Sequence, residues 1–69
     1  MKFYLTFGQQ SPFRNGWVEI EASSYAEARK VAFDALGNRW SMLYFEEEFK
    51  EAEMAYFPLG KIGETLNGM

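Results

Sequence analysis

The segment from Gly16 to Gly37, GWVEIEASSYAEARKVAFDALG, constrains this chain more than any other, because it holds a whole strand, a helix start, an amphipathic helix and a helix stop. Trp17 to Glu21 alternates with period two, so Val18 and Ile20 are predicted to face a core while Glu19 and Glu21 face water. Ser24 precedes Glu27 by the three residues of a capping box. In that motif the serine hydroxyl accepts from the N3 amide and the glutamate reaches back to the cap amide. A helix is therefore predicted to begin at Tyr25. Tyr25, Ala28, Val31, Ala32, Ala35 and Leu36 share one broad face, Glu27, Lys30 and Asp34 lie opposite, and Gly37 supplies a left-handed stop.

The flanking sequence completes a small α+β design. Lys2 to Phe7 sets Phe3, Leu5 and Phe7 against Tyr4 and Thr6 and reads as a first strand. Gly8 to Gly16 contains Ser-Pro and Asn-Gly turn signals, is long for a hairpin loop, and carries Phe13, which is expected to fold back onto the core. Trp40 to Phe45 is predicted to be a third strand. A right-handed crossover from the second strand would make the third parallel to it and place it beside the first, giving a three-stranded, mainly antiparallel sheet of order 2-1-3. One main helix covers one face of that sheet in this ββαβ arrangement. Glu46 to Tyr56 follows as a short second helix, with Phe49, Ala52 and Tyr56 at helical spacing and a Glu46–Lys50 pair. Pro58 ends it. The segment 61–69 is predicted to hold a short edge strand near Ile62 and then a frayed tail, so residues 1–69 make one domain.

Composition narrows the chemistry. A chain of 69 residues buries only about 60% of its unfolded surface. It has no cysteine to reinforce it, so aromatic residues, at 19% of the chain, must fill the core. Without His or Cys, the serine and threonine hydroxyls have no imidazole to take their proton and read as caps and turns, so no enzyme is expected. No apolar run approaches the roughly 20 residues of a membrane span. The opening MKFYLTFGQ is too short and polar for a secretory leader, and the expectation is a soluble, cytoplasmic protein that contacts no membrane.

The net charge of −3 conceals a local concentration of acid. Glu46, Glu47, Glu48, Glu51 and Glu53 oppose only Lys50, whereas the rest of the chain carries five acids and six bases. This run lacks the alternating ligands and turn glycine of a calcium loop, and no glycine-rich phosphate loop is present, so neither metal nor cofactor is expected. The bases are scattered and form no stripe, which argues against direct nucleic-acid binding. A site at Arg14, Trp17, Arg39 and Trp40 remains open if their loops converge. Trp17 and Trp40 serve there as interface anchors or, in the plainer reading, close the ends of the core.

Met1 to Gln9 (MKFYLTFGQ), Gly16 to Ala22 (GWVEIEA), Tyr44 to Phe49 (YFEEEF) and Phe57 to Gly60 (FPLG) resemble a family of very small proteins encoded by phages and prophages. The resemblance carries no catalytic motif. It implies an accessory protein that binds host machinery, as anti-CRISPR and other anti-defence inhibitors do. On that reading Glu46, Glu47, Glu48, Glu51 and Glu53, with Arg14, Trp17 and Trp40, form a surface for a host protein or nucleoprotein, the carboxylates imitating phosphates. The alternative is a structural or assembly module that homodimerises through an exposed sheet edge or an aromatic face, without nucleic-acid mimicry.

Overall fold

A computed structural model describes residues 1–68 and, of Ala52, the backbone alone. Met69, the end of the expected tail, and the Ala52 side chain, expected on the buried face of the second helix, lie outside the described residues. The elements are β1 (Lys2–Thr6), β2 (Gly16–Glu21), α1 (Tyr25–Leu36), β3 (Met42–Phe45), α2 (Glu46–Glu48), β4 (Gly60–Lys61) and β5 (Leu66–Asn67). The helical path of α2 continues through a π-helical turn, Phe49–Glu53, and a 3₁₀ turn, Met54–Tyr56.

β1 pairs antiparallel with both β2 and β3, which are therefore parallel to each other, and the predicted order 2-1-3 is present. Phe3 faces Ile20 and Phe45, and Leu5 faces Val18 and Leu43. These residues make one apolar face, and α1 lies on it. The contact stripe of α1 is narrower than its sequence implies. Ala28 and Ala32 are wholly buried, Val31 and Leu36 flank them, and Tyr25 and Ala35 stand exposed at the margins. Two alanines at i and i+4 bring the helix axis close to the sheet, and this proximity confines burial to the line between them.

The helix start departs from the expected box by one residue. Ser24 Oγ accepts from the Glu27 amide at 3.1 Å, but Glu27 reaches back to the amide of Ser23, at 2.9 Å, instead of that of Ser24. Gly37 closes the helix with φ +62°, donating to the Phe33 carbonyl. Its ψ of −125° lies outside the left-handed helical basin, in a region that glycine alone enters freely.

Both faces of the sheet are covered: α1 lies on the first, and the short helical run that follows β3 lies on the second. Tyr4, Thr6, Trp17 and Tyr44 alternate with the first-face residues and point to the opposite side. There the helical run 46–56 places Phe49, itself wholly buried. Its ring stacks on Tyr4 at 5.0 Å and meets Trp17, Tyr44 and Phe57 at 5.6 to 5.8 Å. Phe13, expected on the core, touches Phe7 at 5.6 Å between ring centres but keeps half its surface in water.

The segment expected to carry a short edge strand near Ile62 and then a frayed tail runs along β2. β4 and β5 both pair parallel with β2, on the side away from β1. Partner numbers differ by 44 at Gly16–Gly60 and by 46 at Ile20–Leu66, so two extra residues loop out between the short strands. Gly63, at φ +66°, allows that detour. The Gly68 amide then donates to the Glu21 carbonyl at 2.7 Å.

Removing the cap tests whether α1 starts as described. Ser24→Ala should lower unfolding free energy by about 1 kcal/mol, read as a lower urea midpoint with an unchanged slope.

Candidate functional site

The acidic run owes its position to Phe49. With that ring inserted between Tyr4 and Phe57, the run is pinned across the second face of the sheet. Within it the pitch changes: the Met54 amide donates to the Phe49 carbonyl, five residues back, as in a π-helix. A wider turn rotates everything that follows relative to ordinary helical spacing. Tyr56, predicted on the buried face with Phe49, is consequently 73% exposed, and Phe57 packs against Phe49 in its place.

The same geometry divides the five glutamates. Glu46 pairs with Lys50 at 3.1 Å, as the spacing implies, and accepts from the Tyr4 hydroxyl at 3.4 Å. Glu53 is half-buried beside Tyr44, whose phenol is raised above its ordinary value first by burial, then by the Glu53 charge, with Glu48 adding less. Glu47, Glu48 and Glu51 are exposed, and no cation pairs with them among the described residues. Within the run, three carboxylates therefore remain free among the described residues. No group of three acidic side chains converges as around a metal ion, among the described residues.

The tryptophans and Arg14 do not form one site. Trp17 packs on the second face against Tyr4 at 5.1 Å. Trp40 packs on the first face, against the core cluster and Phe33 of α1. The sheet separates them. Arg39 and Trp40 do meet the 8–13 loop around a groove of about 830 Å³, with Phe7, Phe13 and Ile62 among its walls, but Arg14 and Trp17 take no part in it. Arg14 is exposed and turns back toward the Ser11 carbonyl. Neither buried indole N–H has a hydrogen-bond partner among the described residues.

A polar cluster that the sequence reading missed lies beside the acidic run. Glu19, predicted to face water, is 14% exposed at its side chain. It accepts from Thr65 at 2.6 Å and from the Tyr4 hydroxyl at 3.0 Å, with Lys61 at 3.7 Å and Lys2 at 3.9 Å. The Thr65 hydrogen bond is the largest influence holding its carboxyl below the ordinary range; burial opposes it, and Tyr4, Lys2 and Lys61 assist. The Tyr4 phenol is pushed well above its ordinary value, first by burial and then by Glu19 and Glu46. Thr65 belongs to the detour between β4 and β5, so this cluster ties the last segment of the chain to the centre of the sheet. The only available signal was Thr65 and Lys61 four residues apart, and nothing local connects them to position 19.

Two measurements examine this arrangement. Phe49→Ala should cost about 3–5 kcal/mol, with the amides of residues 46–56 losing protection from hydrogen exchange before those of β1. Glu19 has a depressed folded pKa, so the unfolded chain binds its proton first as pH falls. The stability it supplies is present above its ordinary 4.5 and lost as pH drops through the folded value. Urea unfolding from neutral pH to about pH 3 should show wild type losing more stability than Glu19→Gln, and parallel pH profiles would contradict the assignment. Searches for related proteins matched no family model, no curated protein and no solved structure.

Proposed function

We propose that this chain is a non-enzymatic binding protein of phage origin, acting in the host cytoplasm as an inhibitor of a defence protein or nucleoprotein. Its acidic face would occupy a basic groove that otherwise holds nucleic acid. The observation that carries the reading is the exposure of Glu47, Glu48 and Glu51 without cations, among the described residues, on a segment anchored by a wholly buried Phe49. An anchored carboxylate loses little freedom when a cation meets it, so more of the attraction survives as affinity. Run length supports the same view. From Glu47 to Glu51 four helical steps rise about 6 Å, comparable to a few phosphates at about 1.7 Å of duplex axis per charge. The resemblance to small phage proteins supplies the biological setting. No helix among the described residues is long and apolar enough to cross a membrane.

Replacing Glu47, Glu48 and Glu51 together by Lys tests the proposal, because all three side chains are exposed and the fold should survive. Tagged wild type should capture a partner from nuclease-treated bacterial lysate and release it when duplex DNA is added. The triple variant, with unchanged far-ultraviolet dichroism, should capture none. Equal capture by the variant would refute the acidic face as the binding surface.

A further inference from the structure

β3 ends the sheet. It pairs with β1 on one side, and no strand of the described residues lies on the other. Natural edges of this kind are usually blunted by charge, proline or a covering loop. Here the strand is Met-Leu-Tyr-Phe, and the surface around it is apolar: Met42 is 51% exposed, Phe45 43% and Phe33 45%. On α1, Tyr25, Arg29 and Phe33 recur every fourth residue and form a ridge beside the edge. A depression of about 350 Å³ separates that ridge from Met42 and Leu43. Among the described residues, the one side-chain hydrogen bond to the β3 backbone comes from the Tyr25 hydroxyl to the Leu43 carbonyl. At 3.3 Å it is longer than an ordinary O–H···O bond.

The charges flanking this edge identify its occupant. Arg39 precedes β3, is exposed and has no ion-pair partner among the described residues; Glu47 and Glu48 follow it, equally exposed. An antiparallel pair of identical strands sets the start of each against the end of the other, so each arginine meets the other chain's carboxylates. Opposite residues in such a pair must lie on the same face of the sheet, which restricts the two-fold axis to a residue position. Centred on Leu43, the register sets Met42 against Tyr44 and brings the segment before each β3, which carries Arg39, to the end of the other β3, where Glu46–Glu48 begin. A parallel pairing would instead bring like charges together at both ends.

We infer that β3 is a self-association edge: two copies join β3 to β3 antiparallel about a two-fold axis, forming one continuous sheet. The two α1 ridges face each other across the junction, covering Phe33, Tyr25 and Phe45, while Met42 meets Tyr44 of the other copy on the opposite face. Arg39 of each copy pairs with the Glu46–Glu48 end of the other. The dimer is read without any host partner, but Glu47 and Glu48 belong to both surfaces, so self-association and the proposed host partner compete for them.

Analytical ultracentrifugation of the full chain, from micromolar to millimolar concentration, tests it. A concentration-dependent dimer is expected. Arg39→Glu should weaken it roughly tenfold or more, a change of about 1.4 kcal/mol or more, and Arg39→Glu combined with Glu47→Lys should restore it. Met42→Lys, which puts a charge beside the edge, should yield monomer. All these side chains are exposed, and unchanged far-ultraviolet dichroism and urea midpoints under monomeric conditions confirm that the variants fold. A monomer at every concentration overturns the inference. So does a dimer indifferent to Arg39→Glu and Met42→Lys, or one that the charge exchange fails to restore.

Discussion

The stacking of Tyr4 on Phe49 is the contact on which the second half of the structure depends. β1 is buried on both sides: Phe3 and Leu5 enter the core beneath α1, while Tyr4 and Thr6 are covered from the other side. A strand in that position needs two apolar layers, and a chain this short can supply the second only by folding its acidic segment back across the sheet. Phe49 makes that possible. A single ring shared among Tyr4, Trp17, Tyr44 and Phe57 gives a segment otherwise rich in glutamate an apolar foothold.

Once Phe49 is in place, the π-turn determines which side chains meet water. Widening the helix by a residue moves Tyr56 out to solvent and brings Phe57 in. The glutamates are sorted by the same packing: Glu46 is held by Lys50 and Tyr4, Glu53 leans toward the sheet, and Glu47, Glu48 and Glu51 remain free among the described residues. Interior and exposed charge are thus consequences of one anchoring event. The proposed binding surface is the outer side of the layer that completes the fold.

The two edges of the sheet are treated differently. Beyond β2 the chain closes the sheet with two short parallel strands, and the detour between them delivers Thr65 and Lys61 to Glu19. The carboxylate then links β1, β2 and the last segment through Tyr4 and Thr65. Beyond β3 no strand follows among the described residues, and the surface there is aromatic and apolar with opposite charges at the two ends of the strand. One edge is consumed by folding, and the other is the surface on which self-association is inferred.

Local pattern was enough to determine the first three strands and the main helix, and the handedness of the crossover then gave their order. Alternation at Phe3, Leu5, Val18 and Ile20 has period two, and the cap at Ser24 and the stop at Gly37 act within one turn of their own positions. The acidic run and its Glu46–Lys50 pair were legible for the same reason. Tertiary structure alone decided that both faces of the sheet are covered, that Trp17 and Trp40 lie on opposite sides of it, and that three of the five glutamates stay free. It also decided that Glu19 is a pinned member of a buried-edge cluster. In sequence Glu19 and Tyr4 look like the outward half of an alternating strand, and their partners Thr65 and Phe49 stand 46 and 45 positions away. A two-residue period specifies which residues share a face, but whether that face meets water depends on a distant segment that returns to cover it.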